Sequence, residues 1–343
     1  MSTLRPVSGP AAEVTTLLDH WLAEADPAPL EIETSGSTGE PKRALLSRAA
    51  VLASARATHE RLGGPGQWLL ALPSAYVAGV QVLVRSLDAG HPPVMLEEHA
   101  GLAEAVAAMT APRRYASLVP TQLVRALERP EDVAALADLD AVLLGGAAAD
   151  EGLRARAEEA GVTVVTTYGM SETSGGCVYD GVPLPGVEVR TADDGRLEVR
   201  GPVLFDGYRD DPVRTAAART DDGWFRTDDL GTVVDGRVTV LGRADDVVVS
   251  GGVKVPAAAV AARLRTHPGV EAAEVLGVPD PEWGQRVVAF VVGDLGLDAA
   301  RDWVAALHPR PWAPRTVHLL DALPLLPNGK VDRVRLRARQ EDS

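Results

Sequence analysis

The sequence predicts an α/β protein of two domains, a large N-terminal domain with βαβ-type sheets and a β-rich subdomain, and a small, mobile α+β C-terminal domain. Three observations predict it. Up to about Gly175, short apolar runs alternate with helical stretches. Beyond it, the runs shorten and alternate between Gly and Asp turns. From about residue 246, a second, smaller series of strands and helices begins. With 343 residues the chain can fill two cores, and the expected domains are 1–242 and 243–343.

The elements follow in order. Val14, Leu17, Leu18, Trp21 and Leu22 fall on one helical stripe within 11–24. Ser47 is suited to cap a helix reaching about residue 62. The apolar runs at 68–72, 93–96, 115–119, 141–144 and 162–166 have helical stretches between them, which predicts parallel strands. Ligands of such sheets gather at the carboxyl ends of the strands. The loops expected after the last two runs are "GGAAAD" and "TYGMSETSGG". Asp235-Gly236 predicts a tight hairpin within 232–242. The smaller domain should hold a strand, a helix at 256–266, strands at 270–278 and 286–293, and a helix near 298–307. The junction "LGRADD" has a glycine and charges but no long linker, which suits a hinge and hence mobility of the smaller domain.

Composition narrows the partners. Asp plus Glu is 48 against 34 for Lys plus Arg, a net charge of −14. An acidic chain without basic runs is poorly suited to nucleic acid or an anionic membrane. Cys177 is the single cysteine, so no intrachain disulfide and no cysteine-based metal site is expected, and it should be a small, half-buried residue. No apolar run approaches the ~20 residues of a membrane span, and "MSTLRPVSGP" lacks a signal-peptide core. The expectation is a cytoplasmic protein.

The stretch "TSGSTGEPKR" (34–43) combines hydroxyls, glycines and a lysine. Backbone N–H groups, hydroxyls and a point cation together make a phosphate-binding surface. The spacing is not that of a P-loop, because only two residues separate Gly36 from Gly39. The same composition also makes a flexible turn, and the stretch alone leaves both readings open.

Five more stretches follow it, "LLGGAAAD" (143–150), "TYGMSET" (167–173), "GWFRTDDLG" (223–231), "LGRADDVVVSGG" (241–252) and "LPLLPNGKVDR" (323–333). In this order the six resemble the adenylate-forming superfamily of acyl-CoA synthetases, luciferases and adenylation domains. The resemblance spans nearly the whole chain and implies that fold, shortened at its N-terminus. It also implies a two-step reaction. A carboxylate attacks the α-phosphate of Mg-ATP to give an acyl-adenylate and pyrophosphate, and a thiol, usually coenzyme A (CoA), then displaces AMP.

The residue roles are likewise implied by the resemblance. Thr34, Ser35, Gly36, Ser37, Thr38, Gly39 and Lys42 would enclose the β- and γ-phosphates. Gly146 and Ala147 would meet adenine, Tyr168 would stack on it, and Gly169, Met170 and Ser171 would complete that nucleotide site. Thr173 would reach the α-phosphate. Asp229 would hold the ribose hydroxyls, with Arg243 nearby. Glu172 would be the Mg²⁺ ligand, a hard oxygen donor suited to that ion. Lys330, Glu172 and Thr38 are the candidate catalytic residues, with Lys330 offsetting charge at the α-phosphate. Asp245 matches the hinge, and Gly251 with Gly252 would line the CoA channel.

Within the superfamily, "ASLVPTQLVRAL" (116–127) and "YVAGVQVLVRSLDAG" (76–90) look most like the o-succinylbenzoate–CoA ligases of menaquinone biosynthesis. A dicarboxylate substrate needs an anchor for its second carboxyl. Arg85 is an isolated charge on a largely apolar helix, so it is either that anchor or a snorkelling side chain at the helix edge. Gly79 would let the helix approach the acyl pocket, and Thr121 and Gln122 could add polar contacts. Three departures stand out: Arg43 where glycine is frequent, Asp228 as an extra charge beside Asp229, and no histidine in "LPSAYVAG". Other readings are another aryl- or acyl-CoA synthetase, a stand-alone adenylation enzyme, or a non-catalytic nucleotide-binding protein. A homodimer is the expected assembly.

Overall fold

The computed structural model describes residues 5–34, 42–146, 151–324 and 331–341. The chain falls into two compact units. One holds the residues up to 190 with 198–227 and 233–238, and the other holds 191–197, 228–232 and 239–343.

The first unit opens with β1 (Arg5–Pro6), α1 (Ala11–Ala23), β2 (Leu30–Glu33) and β3 (Arg43–Leu46). Helix α2 (Arg48–Arg61) starts where expected, with the Ser47 hydroxyl accepting from Ala50 N at 3.3 Å. There follow β4 (Gln67–Leu70), α3 (Val77–Asp88), β5 (Val94–Met95), α4 (Leu102–Ala107) and β6 (Arg114–Leu118). Next come α5 (Pro120–Ala126), α6 (Pro130–Ala137), β7 (Ala141–Leu144), α7 (Glu151–Glu159), β8 (Val164–Met170), β9 (Gly175–Tyr179) and β10 (Val182–Pro183).

These strands form a seven-stranded sheet in the order β10-β9-β8-β7-β6-β4-β5. Strands β5, β4, β6, β7 and β8 are parallel. Every residue of β4 and β7 is buried, which is why Trp68–Leu70 and all of β7 read as apolar runs, with the buried Gln67 opening β4: a parallel sheet is covered on both faces. Leu69, Ala116, Leu118, Val142 and Leu144 meet Val106, Leu123, Leu136 and Leu153 in one core.

One element differs from the sequence reading. The run expected to end at 166 continues to Met170, so Thr167–Met170 are strand and not loop. Strand β9 returns antiparallel and supplies the hydrogen-bond partners for this extension, with a register shift between Tyr168 and Gly169. The backbones are so close that a Cβ on Gly169 would lie 2.1 Å from the Gly175 carbonyl oxygen. Cys177, expected to be half-buried, is fully buried on β9.

Strands β11 (Glu188–Thr191), β12 (Arg196–Arg200), β13 (Gly207–Tyr208), β14 (Phe225–Val234) and β15 (Arg237–Arg243) come next, with α8 (Pro212–Ala217) after β13. Strand β13 leaves this series to join the sheet β1-β2-β3-β13. The β14–β15 turn has positive φ at Asp235 and Gly236, 49° and 76°, the backbone a two-residue hairpin requires.

The second unit continues with β16 (Val247–Ser250), β17 (Val253–Pro256), α9 (Ala257–Arg265), β18 (Val270–Asp280) and β19 (Gly284–Gly293). It ends with α10 (Leu297–Ala305), β20 (Thr316–Leu320) and α11 (Arg333–Glu341). Its sheet runs β17-β16-β19-β18, with β20 parallel to β19. Val260, Leu264, Val275, Val287, Ala289, Val291 and Val304 fill its core. Among the described residues no helix is long and apolar enough to cross a membrane.

Candidate active site

Ser35, Gly36, Ser37, Thr38, Gly39, Ala147 and Lys330 lie outside the described residues. The others group by unit.

In the first unit the stretch 34–42 joins β2 to β3, its ends held by Thr34 N donating to Lys42 O at 2.7 Å. Thr34 Oγ1 is buried without a hydrogen-bond partner among the described residues. At the stem, buried Glu31 accepts from Arg43 at 3.0 Å and also pairs with Arg209. Arg43 therefore anchors the hairpin, which gives this departure from the superfamily pattern a structural purpose.

Gly146 and Tyr168 follow the carboxyl ends of two adjacent parallel strand segments, where Leu144 pairs with Thr166. Gly146 has a φ of +82° and is exposed, while Tyr168 is half-buried opposite Val178. Gly169 and Met170 end β8, and Ser171, Glu172 and Thr173 form one 3₁₀ turn. Thr173 shapes that turn. Its hydroxyl accepts from Met170 N at 2.9 Å and donates to Gly175 O at 2.7 Å, and the residue is fully buried.

Glu172 is 8% exposed, and its Oε1 accepts from the Tyr208 hydroxyl at 2.7 Å. Lys42 Nζ lies 5.7 Å from the centre of the same Tyr208 ring, within cation–π range. The structure thus brings the lysine of one motif and the acid of another onto one aromatic side chain. Sequence reading passed over Tyr208 and Glu31, because neither belongs to a glycine-rich or catalytic pattern; the pairing of β13 with β3 brings Tyr208 to the site, and the pairing of β2 with β3 sets Glu31 at its stem.

Arg85 is 3% exposed on α3, which excludes the snorkelling alternative. Its Nη2 donates to the Tyr179 hydroxyl at 3.2 Å, its guanidinium lies 4.9 Å from the Trp68 ring, and its Nε has no hydrogen-bond partner among the described residues. Burial lowers its pKa from the ordinary value, and Tyr179 offsets part of that effect. The Tyr179 hydroxyl also meets Thr58 Oγ1 at 2.9 Å. His59, accepting from Trp68 Nε1, is pushed down to about 4 by burial and by the Arg85 charge. A buried cation with an unpartnered donor is chemically suited to an anion or a bridging water.

Gly79 lets α3 approach the chain before it: a Cβ there would stand 2.2 Å from Pro73 O. Thr121 and Gln122 lie in the first turn of α5, and Thr121 is exposed. Gln122 uses both ends of its amide locally, accepting from Val119 N at 3.0 Å and donating to Ala71 O at 2.7 Å. It ties the ends of β6 and β4 together.

In the second unit Arg243 gathers three carboxylates: Asp245 at 3.1 Å, Asp228 at 3.5 Å and Asp229 at 3.6 Å. Burial works against its charge, but Asp245, Asp229 and Asp228 hold the guanidinium above its ordinary pKa. Asp229 is 9% exposed. Arg196 takes the other oxygen of Asp228 at 2.8 Å, so this extra acid is neutralised from two sides. Gly251 and Gly252 form the β16–β17 turn with φ of +57° and +79°. A Cβ on Gly251 would meet the Trp283 ring at 2.6 Å.

Among the described residues no group of three or more His, Cys, Asp or Glu side chains gathers as a metal cage. Glu172 alone fits the way Mg²⁺ is bound in nucleotide sites, by one or two carboxylates with phosphate oxygens and water.

Comparisons with known proteins place the chain in a family. The AMP-binding enzyme family matches residues 15–209, and the AMP-binding enzyme C-terminal domain matches 259–330. A probable 2-succinylbenzoate–CoA ligase of Mycobacterium tuberculosis is 49% identical over 327 residues, covering 92% of this chain and 85% of its own. The 2-succinylbenzoate–CoA ligase of Escherichia coli is 34% identical over 308 residues, 87% of this chain and 65% of that enzyme. The solved o-succinylbenzoate CoA synthetase (MenE) of Bacillus subtilis, in complex with the acyl-adenylate intermediate OSB-AMP, superposes with a TM-score of 0.74 at 27% identity, over 93% of this chain and 70% of that one. ATP-bound MatB of Rhodopseudomonas palustris gives 0.76 at 26% identity, over 93% and 69%. With family matches at residues 15–209 and 259–330 and a relative 49% identical along 92% of this chain, the chain belongs to the AMP-binding enzyme family.

Proposed function

We propose that the chain is a 2-succinylbenzoate–CoA ligase, converting the acid, ATP and CoA to the CoA thioester, AMP and pyrophosphate in menaquinone biosynthesis. The observation that carries the acid specificity is the 49% identity to the mycobacterial ligase along 92% of the chain. Arg85 gives that specificity a physical basis, as a buried guanidinium with an unpartnered Nε suited to the carboxylate that does not react, directly or through water.

In the first step a carboxylate oxygen of the acid forms a bond to the α-phosphorus, and the bond from that phosphorus to the pyrophosphate oxygen breaks. Thr34 through Gly39 and Lys42 hold the β- and γ-phosphates. Gly146, Ala147 and Tyr168 through Ser171 hold the adenine end, and Asp229 takes the ribose hydroxyls with Arg243 beside it. Thr173 acts on the α-phosphate side chiefly through the turn that its hydroxyl closes. Glu172 would be the protein ligand for Mg²⁺, which would supply charge neutralisation at the phosphates. Lys330 compensates the charge that builds at the α-phosphate.

In the second step the CoA sulfur attacks the acyl carbon, AMP leaves, and the thiol proton passes to solvent. Residues 243–343 form the mobile domain, turning about Asp245 between steps, and Gly251 with Gly252 admits the thiol. The enzyme acts in the cytoplasm as a homodimer, a state that light scattering of the purified chain would read directly.

The test is pyrophosphate release by the purified protein with Mg-ATP and CoA, across 2-succinylbenzoate, benzoate, a medium-chain fatty acid and mixed amino acids. Release with 2-succinylbenzoate and formation of its thioester is the expected result. Release only with another acid would overturn the specificity, and no release with any acid from ATP-binding protein would overturn the ligase reading.

A further inference from the structure

Residues 205–209 run between the two motifs that hold the metal–phosphate end of the site. Phe205 N donates to the Glu172 carbonyl oxygen at 3.0 Å, Asp206 N to Leu45 O at 2.8 Å and Arg209 N to Arg43 O at 2.9 Å. Strand β13 pairs antiparallel with β3, Tyr208 opposite Ala44. The segment is held from its far side as well. Tyr208 N donates to Thr215 Oγ1 at 2.8 Å, and Gly207 lies so near Thr215 that a Cβ would meet its methyl carbon at 2.7 Å. Phe205, itself buried, packs edge-on against Tyr208 with ring centres 4.9 Å apart. Arg209 is pinned on Glu31 at the hairpin stem.

Tyr208 is therefore a fixed side chain with two contacts of chemical consequence. Its hydroxyl donates to Glu172 Oε1 at 2.7 Å, and its ring lies 5.7 Å from Lys42 Nζ. A short bond from a neutral donor sets the orientation of a carboxylate without cancelling its charge, and leaves Oε2 as the oxygen for a metal. Partners of this kind tune a metal ligand nearly as strongly as the ligand itself.

We propose that Tyr208 is a positioning residue for the metal–phosphate end of the site, orienting Glu172 through its hydroxyl and Lys42 through its ring. The proposal rests on Glu172 being the metal ligand.

The experiment measures binding, not turnover. Mn²⁺ replaces Mg²⁺, and its free concentration is read by electron paramagnetic resonance in the presence of a non-hydrolysable ATP analogue. The full chain is used as wild type, Tyr208→Phe, Glu172→Gln and the double variant. Phe keeps the ring and removes only the hydroxyl, and thermal melting checks that each variant is folded. Tyr208→Phe should weaken Mn²⁺ binding about 10–100-fold and leave metal-free binding of the analogue unchanged. The double variant should bind Mn²⁺ no more weakly than Glu172→Gln alone, because both substitutions break the same interaction. Tyr208→Leu, which also removes the ring beside Lys42, should in addition weaken the analogue without metal.

Wild-type Mn²⁺ affinity in Tyr208→Phe, alongside a loss in Glu172→Gln, would overturn the role of Tyr208 and leave Glu172 as the ligand. Unchanged affinity in both would remove the Glu172 reading and this proposal with it. An equal loss of analogue binding with and without Mn²⁺ in Tyr208→Phe would make the tyrosine structural and overturn the proposal.

Discussion

Arg85→Met separates the acid-recognition role of this residue from a purely structural one. The guanidinium is 3% exposed, donates to Tyr179, lies over Trp68, and has no partner for Nε among the described residues. Among the described residues no carboxylate forms an ion pair with it; burial lowers its pKa and Tyr179 offsets part of that effect. A hydrogen bond to a charged group contributes roughly 1.5–3 kcal/mol. At about 1.4 kcal/mol per tenfold, losing the contact with a substrate carboxylate should lower kcat/KM for 2-succinylbenzoate by ~10- to 150-fold. Benzoate lacks the second chain and its carboxyl, so whatever slow adenylation it supports should not fall.

The stability of the same variant has the opposite expectation. Methionine loses a cation–π contact of ~2 kcal/mol and a bond to a neutral hydroxyl of ~1 kcal/mol. It also relieves the burial of a charge, which costs several kcal/mol when no counter-ion is present. The melting temperature should hold or rise. The assay is steady-state pyrophosphate release with both acids, alongside thermal melting. Equal decline with the two acids, together with a lower melting temperature, would refute the argument and make Arg85 a structural residue.

Lys330→Ala should nearly abolish pyrophosphate release but leave transfer from a supplied acyl-adenylate to CoA much less affected; equal loss in both half-reactions would remove its assigned role. His59 is neutral in the folded protein until about pH 4, whereas an unfolded histidine takes up its proton near 6.5. The stability it contributes is full above 6.5 and is lost as pH falls from there toward 4. Urea unfolding at pH 7 and 4.5 should therefore show a stability loss about 2–3 kcal/mol larger in wild type than in His59→Gln. An identical loss in both would exclude His59 as its source. Gly169→Ala must move a backbone carbonyl only 2.1 Å from the added carbon. It should cost ~1–3 kcal/mol in urea unfolding and weaken nucleotide binding, since it displaces the turn that carries Glu172.

Much of the fold was legible in the sequence because the relevant signals are local. Buried strands show as short apolar runs, Ser47 marks a helix start, and Asp235-Gly236 marks a hairpin; each depends on residues a few positions apart. The family was legible too, since six short stretches in order carry it. The run 167–170 was read as loop because its hydrogen-bond partners come from β9, and nothing within the run announces a returning strand.

By itself the sequence determined the βαβ alternation, the break in texture after Gly175, the net acidity that disfavours nucleic acid, and the candidate residues carried by the six ordered stretches. Only the tertiary structure decided how those residues are supported. It placed Tyr208 against Glu172 and Lys42, closed the hairpin stem with Glu31 between Arg43 and Arg209, and buried Arg85 against Trp68 and Tyr179. It also showed that Asp228 is neutralised by Arg196 and Arg243. The physical reason is range. Propensity, capping and turn chemistry act between near neighbours and leave a pattern along the chain, whereas the partners of a buried charge come from segments as far apart as residues 31 and 209, which meet only when the strands pair.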